Sequence, residues 1–427
     1  MPRLEFLPVQ QQRLNQMLEE LRGQNRFWTQ RLEQAGLGSG SVDSLEQWRS
    51  LPLVTKSELV ADQNSNPLYG TNLTYALPRY SRLHQTSGTT GRPMYWLDTP
   101  QSWDWFMDCW TQIYRQVGLR PDDVLAFPFS FGPFIGFWAA FEGGLRQGNR
   151  CLAMGGLGSE TRLKQIINHQ CTVVCCTPTY AMKLADVAQA EGIDLVNSAV
   201  RALIVAGEPG GAVPEIRQRM EAAWGARVFD HWGMTDLGSL GVEAESEPGN
   251  MRILETEGIA EVLDPATGNP TRAGELGELV MTNLGRWGQP VLRYRTGDLV
   301  RARIDSDAAA TGGLVLEGGV LGRADDMLII RGNNVFPSSV EALMRDFPEV
   351  IEFRMARCIR DSMPQLRIEF ETLAPISQDA GKLRDLVERL SQAGVERLSF
   401  RPEFVSVPVG SLPRHEFKSN RVVRNPV

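Results

Sequence analysis

Four short apolar runs, each halted by loop-forming residues, constrain this chain more than any other feature. They are "DDVLAFPF", "CTVVCCTP", "VRALIVAGEPGG" and "ARVFDHWGMTD", and helical stretches alternate with them. Strand-like runs interleaved with helices point to a mixed α/β fold class. Each run stops where Gly, Pro, Thr or Asp begins. In α/β folds ligand loops sit at such strand ends, so those residues are the first candidates for chemistry.

The texture changes after Leu321. Ile351, Phe353 and Met355 alternate with Glu352 and Arg354, and Leu366, Ile368 and Phe370 alternate with Arg367 and Glu369, as in half-buried strands. Leu383, Leu386, Val387 and Leu390 fall at helical spacing. The expected organisation is a large N-terminal domain of layered sheets and helices over residues 1–321, then a small α+β domain over residues 322–427. The stretch Asp305 to Gly319, "DSDAAATGGLVLEGG", reads as the flexible approach to that boundary.

Composition excludes several classes. The formal charge of −7 lacks the basic face that a nucleic-acid partner demands. The segment Ala126 to Phe141 is uncharged but shorter than the ~20 residues of a spanning helix. Pro128, Gly132, Pro133 and Gly136 interrupt it, so no membrane span is expected. The N-terminus has no apolar core of signal-peptide type, which points to a cytoplasmic protein. Cys171, Cys175 and Cys176 show neither paired Cys-x-x-Cys spacing nor helical histidines, so they read as reduced thiols around a buried strand.

The stretch "HQTSGTTGRPMYW" (84–96) carries the sharpest chemical signal. Glycines permit φ > 0 and close backbone approach, and successive N–H groups with hydroxyls form a nest for an oxyanion such as a phosphate. Other strand ends ask for the same ligand. Asp298 follows the Thr296-Gly297 turn of "YRTGDLV", where a carboxylate could accept both hydroxyls of a ribose. "AGEPGG" (206–211) offers backbone against which an aromatic ring can slide. "DHWGMTD" (230–236) supplies Trp232 as a stacking face and Asp236 as an oxygen ligand for magnesium.

Taken in order, "TSGTTGRP", "AGEPGG", "HWGMTD", "YRTGDLV", "LGRADDMLIIRGNNVFPSSVE" and "LPRHEFKSNR" resemble the adenylate-forming superfamily of acyl-CoA synthetases, adenylation domains and luciferases. "DDMLIIRGNNVFPSSVE", "LPLVTKSELV" and the chain length resemble its phenylacetate–CoA ligase branch. The resemblance spans nearly the whole chain. It implies that Thr86, Ser87, Gly88, Thr89, Thr90 and Gly91 hold the β- and γ-phosphates of ATP. Gly207, Glu208 and Pro209 would line the adenine site with His231 and Trp232, the latter standing where the family often has Tyr. Asp298 would bind the ribose, with Arg323 nearby. Asp325 would be the hinge on which a mobile small domain swings, and Lys418 matches the lysine of the final motif.

The implied reaction is ATP-dependent conversion of a carboxylic acid into an acyl-adenylate, with transfer to coenzyme A and release of AMP and pyrophosphate. Transfer to a carrier-protein thiol or an amine is an alternative, as is a degenerate nucleotide-binding module. Asp236 stands where the family usually has Glu, one methylene longer, and would hold Mg²⁺. Relatives in the branch often carry a cysteine-based zinc site before the hinge. "EAESEPGNMRILE" and "TGGLVLEGGVLG" contain no Cys or His, so no structural zinc is expected. Phe129, Phe131, Phe134, Phe137 and Trp138 lie where the branch forms its acid pocket. Their density favours an aromatic acid, with Phe131, Phe134 and Gly207 as the pocket residues. The sequence does not distinguish a monomer from a homodimer.

Overall fold

A computed structural model describes residues 5–86, 93–133, 135–305, 313–324, 328–330, 333–335, 337–360, 363–398, 400–413 and 421–423. The motif residues Ser87, Gly88, Thr89, Thr90 and Gly91, together with Phe134, Asp325 and Lys418, lie outside that set.

A hairpin of β1 (Arg82–Gln85) and β2 (Tyr95–Asp98) brackets the glycine-rich motif, with His84 opposite Trp96. The four apolar runs become β3 (Val124–Phe127), β5 (Val173–Cys176), β6 (Ala202–Val205) and β7 (Arg227–Met234), with β4 (Arg150–Ala153) between the first two in sequence. These five strands lie parallel in the order β4-β3-β5-β6-β7. Parallel strands need crossover connections, and helices Trp138–Arg146, Ser159–Asn168, Pro178–Glu191 and Pro214–Trp224 supply them. The helices cover the sheet, so β3, β5 and β6 are buried at every position.

The sheet continues in antiparallel fashion through β8 (Gly238–Glu243), β9 (Met251–Ile253), β10 (Gly258–Leu263), β11 (Leu276–Asn283), β12 (Tyr294–Ile304) and β13 (Leu314–Leu316), making twelve strands among the described residues with Gly322–Arg323. The expected flexible approach at 305–319 therefore needs correction, because β13 is a core strand paired with both β12 and β9. Its apolar Leu-Val-Leu is fully buried.

Beyond residue 328 a separate apolar cluster forms around Phe353, Met355, Ile368, Phe370, Leu386 and Leu390. It joins the alternating strands Val350–Arg360 and Met363–Thr372 to helix Ala380–Leu398. The fold is thus mixed α/β, with a large sheet-rich part and a smaller α+β part. Among the described residues no helix is long and apolar enough to cross a membrane.

Cys175 and Cys176 lie in β5, with Cys171 buried just before it, and all three thiols are free. Burial pushes Cys171 up to about 11 and Cys176 to about 12, so they stay protonated and pack as small hydrophobes.

Candidate active site

Because β5, β6 and β7 run parallel, their C-terminal ends share one rim. In the sheet order β4-β3-β5 the chain winds outward from β3 to β4 and then back to β5, so the topological switch point, where α/β folds place their ligands, falls between β3 and β5 beside that rim. After β5, Thr177 caps helix Pro178–Glu191 by accepting from the Tyr180 N–H, and Pro178 occupies the first turn. After β6, Gly207 turns with φ 92°, a conformation that favours glycine. Glu208 reaches back so that Oε1 accepts from Thr179 N at 2.7 Å. Its carboxylate pegs the "AGEPGG" loop to a helix N-terminus, which favours negative charge. Gly211 lies so close to Asp230 that a Cβ there would overlap the carboxylate.

On β7 side chains alternate across the sheet. The indole Nε1 of Trp232 donates to Asp298 Oδ2 at 2.8 Å. Asp298 on β12 lies opposite Arg323 of the Gly322–Arg323 strand, and Arg323 Nη1 stands 3.3 Å from Asp298 Oδ1 and 3.1 Å from the Thr296 carbonyl. The structure thus brings Trp232, Asp298 and Arg323 together from three separated motifs. His231 points elsewhere: its ring packs 4.7 Å from Trp110 on helix Pro100–Gln116, and Nδ1 donates to the Gly241 carbonyl at 2.7 Å. Burial lowers His231 to about 4, so the imidazole is neutral at physiological pH. Asp230 is pushed up to about 7 by burial and then by Glu243, which is itself engaged by Arg217.

Asp236 follows β7 and is 1% exposed. Its Oδ2 accepts from the Tyr294 hydroxyl at 2.6 Å, joining the "HWGMTD" and "YRTGD" motifs directly. Burial, and then the Asp236 charge, push the Tyr294 phenol well above its ordinary value, so it remains a donor. Among the described residues, Asp236 Oδ1 is buried without a hydrogen-bond partner. A bare buried carboxylate oxygen suits a hard cation, so the donor set fits Mg²⁺ completed by ligand oxygens. Lys56, from "LPLVTKSELV", places its ammonium 3.8 Å from Asp236 Oδ2. Sequence reading gave neither Lys56 nor Tyr294 a role. Their motifs were visible, but the contact between them was not.

Thr86 closes the mouth of the β1–β2 hairpin. Its N–H donates to the Met94 carbonyl at 2.9 Å, and its hydroxyl accepts from Met94 N at 3.0 Å. Gln85 N donates to the Pro133 carbonyl, which places the aromatic segment beside the hairpin. There Phe131 adopts φ 47°, unusual for a bulky residue, and its ring meets Phe129 at 4.1 Å, Trp138 at 4.8 Å and Phe141 at 5.3 Å. Backbone strain of this kind persists where surrounding structure over-determines it, often at ligand clamps.

Known proteins resemble this chain over nearly its whole length. The AMP-binding enzyme family matches residues 83–285, and the AMP-binding enzyme C-terminal domain matches residues 332–425. The phenylacetate-coenzyme A ligase of Thermus thermophilus is 28% identical over 97% of this chain and 96% of its own. The phenylacetate-coenzyme A ligase of Aromatoleum evansii is 30% identical over 74% of this chain and 70% of its own. A 2-hydroxyisobutyryl-CoA ligase, solved in the postadenylation state with 2-HIB-AMP, superimposes with a TM-score of 0.88 at 26% identity. That match covers 99% of this chain and 91% of the ligase. The same ligase in its thioesterification state, with CoA, gives 0.72. The chain belongs to the AMP-binding enzyme family of the adenylate-forming superfamily, as an AMP-forming acid–thiol ligase of the phenylacetate–CoA ligase-like branch.

Proposed function

We propose that this ligase activates an aromatic carboxylic acid, using the residues gathered at the strand-end rim. The reaction class is ATP-dependent acyl-adenylate formation followed by transfer to coenzyme A. The observation that carries the site reading is the convergence of Trp232, Asp298 and Arg323 beside the Asp236–Tyr294 pair.

A carboxylate is a poor electrophile because charge and resonance repel nucleophiles. Its oxygen therefore attacks the α-phosphorus of ATP; the new O–P bond forms as the bond to the bridging oxygen breaks, and pyrophosphate leaves. Asp298 would accept the ribose hydroxyls, already aimed by Trp232 and Arg323. Trp232, its indole edge pinned to Asp298, would stack on adenine. Gly207 and Pro209 would present backbone to the base. Glu208 would support that loop through the Thr179 bond. Asp236 would hold Mg²⁺, which offsets charge on the departing pyrophosphate when bound. The hydroxyl-rich residues Thr86 to Gly91 would receive the β- and γ-phosphates. In the second step the coenzyme A sulfur attacks the acyl carbon, the bond to AMP breaks, and AMP leaves.

The domain assignment belongs to the same proposal: residues 322–427 would turn about Asp325, presenting Lys418 to the α-phosphate in the first step only. The unequal likeness to two states of one relative, 0.88 against 0.72, supports such alternation. The relatives named as phenylacetate ligases and the ring cluster at Phe129, Phe131 and Trp138 support an aromatic acid. A panel of carboxylates, assayed for pyrophosphate release with and without coenzyme A, tests this reading. Aryl and arylacetic acids should lead the panel; preference for long alkyl acids would contradict it.

A further inference from the structure

The segment from the end of β11 through Gln289 carries a buried ion pair that the reaction scheme above does not use. Arg286 and Asp98 are both 0% exposed. The guanidinium forks onto the carboxylate, Nε to Oδ1 at 2.7 Å and Nη2 to Oδ2 at 2.8 Å. Burial alone would raise the Asp98 pKa, but the Arg286 charge and the hydrogen bonds outweigh it and hold the group ionised. The guanidinium lies 4.8 Å from the Trp96 ring and 5.2 Å from Phe106.

What distinguishes this pair from a plain structural bridge is where its remaining donors go. Arg286 Nη1 donates to the Thr235 carbonyl at 2.6 Å and stands 3.3 Å from the Asp236 carbonyl. Asn283, also fully buried, donates from Nδ2 to the Leu237 carbonyl at 3.2 Å. Three consecutive carbonyls around Asp236 are thus held by side chains of one segment. The same segment grips β2 from its other side. Besides the Asp98 fork, Gln289 Oε1 accepts from Leu97 N at 2.6 Å, and Nε2 donates to the Tyr95 carbonyl at 3.4 Å. Asp98 Oδ2 also lies 3.8 Å from His84 Nδ1 on β1.

We infer that the Asp98–Arg286 pair is a positioning device. It fixes the peptide that carries Asp236 at a set distance from the β1–β2 hairpin. Two groups that must act on one polyphosphate are thereby locked in register, although 138 residues separate Asp98 from Asp236 in sequence. Misplacement of reacting groups by ~1 Å can cost ~10²-fold in rate, so a planar fork that reaches two partners suits the task. Lysine's ammonium has three donors but no planar fork, so it cannot reproduce the two-bond carboxylate contact together with the Thr235 bond in one geometry.

The inference rests on the ligase reading, and the test keeps the two apart. Wild-type protein is first shown to release pyrophosphate with an acid; absence of that release would sink the ligase reading alone. Arg286→Lys is then compared with the double variant Asp98→Asn/Arg286→Gln, which removes both charges and leaves no buried ion unpaired. Each is measured for dissociation of MgATP, dissociation of AMP, and thioester formation from a supplied acyl-adenylate. MgATP affinity should fall at least ~10-fold, while AMP affinity and thioester formation stay within ~2-fold, since neither needs Asp236 near the hairpin. Equal losses in all three, unchanged MgATP binding, or failure of both variants to fold would overturn the proposal, because each outcome assigns the pair a structural role or none.

Discussion

Replacing Asp236 by Asn and by Ala separates the charge of this carboxylate from its hydrogen bond. Its Oδ2 holds the Tyr294 hydroxyl at 2.6 Å in a site that is almost fully buried, and Oδ1 has no partner among the described residues. Asparagine keeps a side-chain oxygen for Tyr294 but not the charge that a cation needs. Alanine removes both and strands a buried phenol, worth ~1–3 kcal/mol. The Lys56 contact adds little, because its side chain is 48% exposed and such pairs contribute ~0–1 kcal/mol. Urea unfolding should therefore show a loss of ~1–3 kcal/mol for Asp236→Ala and a much smaller one for Asp236→Asn. Both should slow pyrophosphate release by ~10²–10³ and blunt its Mg²⁺ dependence. Asp236→Glu restores the family's usual residue, yet the extra methylene must fit against Tyr294, with an expected stability cost of ~1–3 kcal/mol. Wild-type Mg²⁺ dependence in Asp236→Asn would refute the metal assignment, whatever alanine does.

Other expectations follow from the same geometry. Asp230 stays protonated in the folded chain to about pH 7, whereas unfolded aspartate ionises near ~4. The folded state then holds the extra proton across that window, so the Asp230 contribution to stability falls as pH rises from ~4 to ~7, by up to ~1.4 kcal/mol per pH unit. The buried neutral His231, lowered to about 4, contributes an opposite slope below ~6.5. Asp230→Asn should remove the falling component, making the pH slope more positive than in wild type, and gain stability at pH 8 relative to wild type; an unchanged slope in denaturant titrations would count against the buried proton. Lys418→Ala should slow acyl-adenylate formation by ~10²–10³ and spare thioester formation from supplied acyl-adenylate. Asp325→Pro should impair the second step more; rapid-quench assays of the two half-reactions check both, and equal damage to both steps in Lys418→Ala would exclude alternation as assigned. Elemental analysis should find no stoichiometric zinc, and one tightly held zinc per chain would show that the cysteines were misread.

The sequence made the strand ends legible because each motif is local. A glycine turn, a capped helix start or an apolar run reads from a dozen neighbouring residues, and β3, β5, β6 and β7 lie inside the four runs that suggested them. What it could not show were the pairings between motifs. Tyr294 reaches Asp236 across 58 residues, and Arg286 reaches Asp98 across 188. Periodicity carries no record of such register. Nothing local in "LGRWGQP" marks Arg286, and only its burial reveals the pair. His231 shows a second limit. It neighbours Trp232 in sequence, but strand alternation turns it to the opposite face, toward Trp110. Glu208 shows a third, since its carboxylate serves the Thr179 N–H. The 305–319 stretch misled because Gly and Ala around it masked three core residues of β13.

Acid-dependent exchange of labelled pyrophosphate into ATP, run without coenzyme A, tests the central claim most directly. The account predicts exchange that needs Mg²⁺ and an aryl carboxylate and proceeds with no thiol present, because the acyl-adenylate forms reversibly before the second substrate acts. Exchange that occurs only with coenzyme A, or none with any acid in a protein that binds ATP, would contradict it.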